Sequence, residues 1–292
     1  MPSAAPDLVP HISFLHALIL GFVQGATEFL PVSSTAHMRI LPALLHWPDP
    51  GAAFSAIVQL GPIVAIIAFF QHDLARYVAG IGRSFQKREM YPPGDTDARL
   101  GWYTIIGTIP LAIAGLLLEK KVDTEYRNLY FVATALIVLA LVLLLAERVS
   151  RRNRTLEALP FGSAMLIGLS QALALVPGAS RSGCTITAGL LVGLTREDAA
   201  RFSFLLSIPA ITLAGLFKMR KVLHGAHLGP VAGPYLLGTV VAGLVAYIVI
   251  KWLLSYLGDE NHTTMPFIIY RVLLGIAILF LVHTGFVLPQ SQ

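Results

Sequence analysis

The sequence predicts an all-α polytopic membrane protein made of two inverted-topology halves, each a broken re-entrant helix pair followed by three transmembrane helices. Three observations carry this. Only 13% of the 292 residues are charged and mean hydropathy is +0.72, a composition foreign to soluble domains. Ten apolar segments recur along the chain, most of them separated by polar stretches. Two of the breaks between them put a proline and then hydroxyls and charge into otherwise apolar sequence.

The apolar segments fall at about 14–30, 32–46, 52–71, 101–118, 128–146, 161–176, 184–194, 202–217, 234–254 and 267–288. The stretch 72–100 holds Arg76, Arg83, Lys87, Arg88 and Arg99. It is too short and too charged for a second domain and reads as one surface loop, with at most an amphipathic piece. Segment 32–46 makes a helix of about 22 Å, shorter than the ~30 Å hydrocarbon core. If each broken pair dips in and returns, each half has three crossings. An odd number inverts the second half and brings both breaks together near the midplane. Non-helical backbone survives at that depth only inside protein or beside a cavity.

The chain is expected to be a single membrane domain, 1–292, with halves at about 1–150 and 151–292. Pro31 and Pro177 stand 146 positions apart; Pro62 and Pro209, like Phe70 and Phe217, stand 147 apart. Gly21-x-x-Gln24 recurs as Gly168-x-x-Gln171. Loops 72–100 and 147–160 carry five and four Lys or Arg, against three each in 119–127 and 218–233. The positive-inside rule puts the first two in the cytoplasm and both termini outside.

The single cysteine, Cys184, excludes an internal disulfide. The first fifteen residues hold no Lys or Arg, and no A-x-A site precedes the first motif, so no cleaved signal peptide is expected. The net charge of +5 belongs to membrane-surface loops, and no basic-aromatic patch suggests nucleic acid.

The first break lies within Gly21–His37, the second within Leu175–Thr185. An ionisable group in mid-membrane costs about 2.5–3.5 kcal/mol on insertion scales, so Glu28, His37 and Arg181 read first as functional. Gln24 and Glu28 share a helix face; Glu28 can hold a divalent cation or act as a base. Ser33, Ser34 and Thr35 follow Pro31 where a new helix begins, and a helix N-terminus suits phosphate. Plain N-capping is the simpler role for one of them. His37, three residues after Ser34, can share its face and take its proton.

In the second break, Gly178 allows close backbone approach, Ser180, Ser182 and Thr185 supply hydroxyls, and Arg181 supplies a planar fork for phosphate oxygens. The purely structural alternative is an Arg181–Glu28 ion pair. Cys184 reads as small apolar filling. Gln59, Arg201 and Arg271 are further candidates for substrate contact. Arg201 and Lys251 lie near segment ends, where snorkelling is the simpler role. Tyr270 is another polar residue in an apolar run.

Taken together, these stretches resemble the bacterial undecaprenyl pyrophosphate phosphatase family, also known for bacitracin resistance. Its first signature is similar to Gln24-Gly25-Ala26-Thr27-Glu28-Phe29-Leu30-Pro31-Val32-Ser33-Ser34-Thr35-Ala36-His37, and its second, P-G-x-S-R-S-x-x-T, to Pro177–Thr185. Ala200-Arg201-Phe202-Ser203-Phe204 and Tyr270-Arg271 also look like family positions. There are two departures. Gln24 stands where Glu is common, which weakens a two-carboxylate metal site and leaves Glu28 as the main acid. Ala36 replaces a usual Gly.

The resemblance implies dephosphorylation of undecaprenyl diphosphate to undecaprenyl phosphate and inorganic phosphate, recycling the carrier for peptidoglycan synthesis. It implies the bacterial cytoplasmic membrane, an outward-facing site and a divalent cation, Mg²⁺ or Ca²⁺, with Glu28 and Gln24 as its candidate ligands. It leaves a homodimer open. The favoured chemistry has Ser34 as nucleophile and His37 as its base; attack by His37 itself or by a metal-activated water stays open. A lipid-phosphate flippase is the competing class, since broken helices at the midplane are also a transporter architecture.

Overall fold

The computed structural model describes residues 12–124, 128–225 and 232–289. Most of residues 1–15, where no leader is expected, and parts of loops 119–127 and 218–233 lie outside them. The described residues form twelve α-helices and no strand.

Helix α1 (Phe14–Glu28) starts at Ser13, whose hydroxyl accepts from the His16 amide. It ends three residues before Pro31, and α2 (Ser34–Leu44) begins three after it. Then come α3 (Gly51–Val58), α4 (Leu60–Phe69), α5 (Gln71–Lys87), α6 (Thr96–Thr124) and α7 (Leu129–Val149). The second half opens with α8 (Phe161–Ser170), tightened into a 3₁₀ turn over Gln171–Leu175 before Pro177, and α9 (Arg181–Leu191). It closes with α10 (Arg196–Gly225), α11 (Ala232–Gly258) and α12 (Met265–His283).

Among the described residues α6, α7, α11 and α12 are long and apolar enough to cross a membrane, and α3–α4 with α5 qualify as one bent pair. The six crossings expected are therefore not all met by straight apolar helices. Helix α10 opens on Glu197, Asp198 and Arg201. The outward faces are apolar: Leu145, Leu244, Ile248 and Phe280 are exposed, as lipid-facing side chains are.

Segment 52–71 is helical from Gly51 through Gln59, which keeps helical dihedrals, to a turn at Phe70. One expectation needs correction. Stretch 72–100 is mostly helix, not loop: α5 turns 73° from the preceding segment. Its Tyr77, Gly80 and Ser84 are buried at helical spacing. Helix α6 sits against this face, so close that a Cβ on Gly80 would lie 2.4 Å from the Ala98 nitrogen. The Arg83 guanidinium grips Asp95 at 2.6 and 2.9 Å across the joining turn. Dense charge hid this helix because its charges cover only the outer face.

Short helices pack on long ones through glycine. A Cβ on Gly21 of α1 would come within 2.4 Å of the Gly238 carbonyl oxygen in α11. One on Gly168 of α8 would come within 2.5 Å of the Gly107 carbonyl oxygen in α6. Such small-residue contacts replace the hydrophobic drive that lipid does not supply. The main apolar cluster fills in beneath the first break, with Phe29 edge-on to Phe204 at 5.3 Å.

Candidate active site

Both breaks end the same way. Ser33 (φ 73°) and Ser180 (φ 66°) hold left-handed backbone immediately before α2 and α9. Non-glycine residues seldom do so; each costs on the order of 1–3 kcal/mol and such strain gathers at functional sites. The first amides of both helices lack intrahelical partners, although Ser180 caps that of Gly183, and such helix starts suit an anion.

The breaks, nearly 150 residues apart in sequence, are stitched together. The Ser182 hydroxyl donates to the Leu30 carbonyl at 2.9 Å. The Gly178 N–H donates to the Thr35 hydroxyl at 3.4 Å. Arg271 on α12 is fully buried and clamps both breaks, donating to the carbonyls of Pro31, Gly178 and Ala179 at 3.0–3.4 Å. Gly183 makes room for it: a Cβ there would lie 2.6 Å from an Arg271 terminal nitrogen.

At the centre sits Glu28. One carboxylate oxygen accepts from Gln24 at 2.9 Å and from the Ser34 hydroxyl at 2.7 Å. The other faces Arg181 at 3.4 Å. The second terminal nitrogen of Arg181 is buried and, among the described residues, has no acceptor. Ser34 therefore hands its proton toward Glu28, not toward His37 as the i+3 spacing suggests. His37 instead bonds the Ser33 carbonyl through Nδ1 at 2.8 Å and the Tyr270 hydroxyl through Nε2 at 2.5 Å.

The remaining candidates divide. Ser33 and Thr35 pair by their hydroxyls at 3.0 Å, and Ser180 caps the Gly183 amide while also pairing with Ser182. Thr185 turns away, to Ser203 on α10 at 2.6 Å. Arg201 is not joined to the breaks: it bonds Asp73 of α5 at 2.7 Å, lies over the Phe70 ring, and lines a polar cavity of about 410 Å³ with Arg76, Asp97 and Glu197. Gln59 marks the α3–α4 joint, and among the described residues its side chain caps neither that joint nor a helix of the site. Cys184 is buried filling, as expected.

The reading of the residues gave no role to Tyr270 or to Gly183. The signal for the first was a hydroxylated aromatic beside an arginine inside an apolar helix.

Among the described residues no three of His, Cys, Asp and Glu cluster as a metal cage built by protein alone. Glu28 and Gln24 supply one carboxylate and one amide oxygen. That set fits a hard cation that takes its other ligands from phosphate and water.

Fold and site define a multi-pass membrane protein with a buried polar centre made from two broken helices. Residues 17–277 match the family described as Bacitracin resistance protein BacA, and the chain belongs to that family. It is 50% identical to an undecaprenyl-diphosphatase of Myxococcus xanthus (strain DK1622), over 96% of this chain and 93% of that protein. Proteins of the same name from Nocardioides sp. (strain ATCC BAA-499 / JS614) and Thermobifida fusca (strain YX) are 45% and 44% identical, over 94% and 96% of this chain and 98% and 94% of theirs.

Proposed function

We propose that this protein is an undecaprenyl-diphosphate phosphatase: it releases inorganic phosphate from undecaprenyl diphosphate and returns undecaprenyl phosphate to cell-wall synthesis, which underlies bacitracin resistance. The observation that carries the reading is Arg181. One arm of its fork meets Glu28, and the other is buried without an acceptor among the described residues, beside two helix N-termini. A phosphate oxygen is the group such a place is built to receive.

Ser34 is the nucleophile. Its oxygen bonds the terminal phosphorus as its proton passes to Glu28, and the bridging bond breaks to free undecaprenyl phosphate. Water then attacks the phosphoserine with His37 as base, Glu28 returns the proton to Ser34, and phosphate leaves. Arg181 and the amides opening α2 and α9 face the charge that builds on the phosphoryl oxygens. Glu28 and Gln24 would hold the divalent cation, which supplies further neutralisation of that charge. The charge bias of the loops supports loops 72–100 and 147–160 on the cytoplasmic side; the cytoplasmic membrane and a site toward its outer face are what the family resemblance implies. The matching Ser33 and Ser180 conformations, and the reciprocal Gly21–Gly238 and Gly168–Gly107 contacts, support two inverted repeats. No observation favours transport.

The test uses protein purified in detergent, where vectorial transport is impossible. Glu28→Gln and Arg181→Lys should each lower phosphate release about 10²–10³-fold with the fold intact. Near-normal release by either variant removes that residue from the site. Chelation by EDTA should stop release, and Mg²⁺ or Ca²⁺ should restore it; activity indifferent to EDTA would dismiss the cation.

A further inference from the structure

We propose that Tyr270 holds His37 and passes it the proton of the attacking water in the second half of the reaction, hydrolysis of the phosphorylated Ser34. This rests on the serine reading above. A carbonyl oxygen can only accept, so the 2.8 Å contact to Ser33 puts the imidazole proton on Nδ1. Nε2 then offers a lone pair, and the Tyr270 hydroxyl, 2.5 Å away, donates to it. The rings lie 5° from parallel with centroids 5.6 Å apart. Both nitrogens of the imidazole are thereby fixed.

The hydroxyl is itself well placed. Tyr270 is the neighbour of Arg271, whose guanidinium ties α12 to both breaks through three carbonyls. Helix α12 cannot slide past the site without breaking that clamp.

This arrangement separates the two proton acceptors. Ser34 already donates to Glu28, so the first half needs nothing from His37. In the second half a water oxygen bonds phosphorus, its proton goes to the Tyr270 oxygen, and the Tyr270 proton passes along the existing hydrogen bond to Nε2. The bond from Ser34 to phosphorus breaks, and Ser34 regains its proton from Glu28. Tyr270 thus keeps the ring in the tautomer that leaves Nε2 an acceptor and hands that nitrogen the proton of the attacking water.

Tyr270→Phe keeps the ring and deletes the hydroxyl. The full chain, in detergent with undecaprenyl diphosphate, should then show steady phosphate release about 10²-fold slower. The first turnover should still release undecaprenyl phosphate, and intact-protein mass should reveal a phosphate trapped on Ser34. His37→Gln should trap the same species. A general disturbance of the fold would slow both halves and trap nothing. If His37→Gln accumulates phosphoserine and Tyr270→Phe does not, the Tyr270 role is wrong while the serine reading stands. If no variant carries covalent phosphate and Ser34→Ala still turns over, the serine reading fails and the role of Tyr270 with it.

Discussion

Ser34→Ala is expected to lower phosphate release by at least about 10³-fold while the protein still folds and still binds the lipid. The other hydroxyls of the two breaks are already engaged elsewhere. Ser33 is paired with Thr35, Ser180 caps α9 and pairs with Ser182, Ser182 also bonds the Leu30 carbonyl, and Thr185 reaches Ser203. Among the hydroxyls of the two breaks, Ser34 is the one bonded to a carboxylate, at 2.7 Å. A serine is a weak nucleophile until a base takes its proton, and Glu28 is in place to do so. Phosphate release in detergent over a range of lipid concentrations is the measurement. A large fraction of normal turnover, still dependent on a cation, would hand the attack to water. His37→Gln distinguishes the remaining route, since slow turnover survives if His37 is a base and none survives if it is the nucleophile.

Gly178→Ala should be the most damaging small substitution in the site. Two costs coincide there. The residue sits at φ +92°, and an added Cβ would lie 2.4 Å from the Val132 carbonyl oxygen of α7. That neighbour is backbone and cannot swing aside. The conformation alone costs an L-residue about 1–2 kcal/mol, and overpacking typically adds 1–3 kcal/mol. Displacing Gly178 also loosens its amide from Thr35 and its carbonyl from Arg271. Thermal unfolding in detergent should show a loss of roughly 3 kcal/mol or more, with activity lost alongside. Gly285→Ala is the control. Its φ is +73° and a Cβ there meets nothing within 4 Å, so it should show the backbone cost alone. Equal Tm losses for the two would mean the Val132 contact is not what makes Gly178 necessary.

How much of this could be read beforehand depended on distance along the chain. The breaks themselves were legible, because proline followed by serines in an apolar run has few other meanings. The spacing of Gln24 and Glu28 gave a true contact, since i and i+4 adjoin on a helix. The spacing of Ser34 and His37 gave the right surface but the wrong partner. Position on a helix sets where a side chain starts, whereas its rotamer is chosen by what surrounds it. Here Glu28, from before the break, took the serine, and Tyr270, 233 residues on, took the histidine. Arg271 was singled out for a polar group deep in an apolar helix, but its three carbonyl partners come from two distant turns. Arg201 looked equivalent by composition. Only the fold shows that its counter-charge, Asp73, belongs to α5.

The glycine contacts have a bearing on how the protein is made. Helix α1 lies in a groove on α11, and α8 in one on α6, so each early piece waits for a late one or fills a place left waiting. When the ribosome has delivered α1, its partner is still roughly two hundred residues away, a separation that makes such contacts slow to form. Until α11 enters the bilayer, Gly21 faces lipid and the first break has no lid of protein over its bare backbone. Assembly is thus withheld until synthesis is nearly complete. A chain stopped early yields no half-working enzyme, and a chain cut between its halves would have to be rebuilt from both fragments in the same membrane.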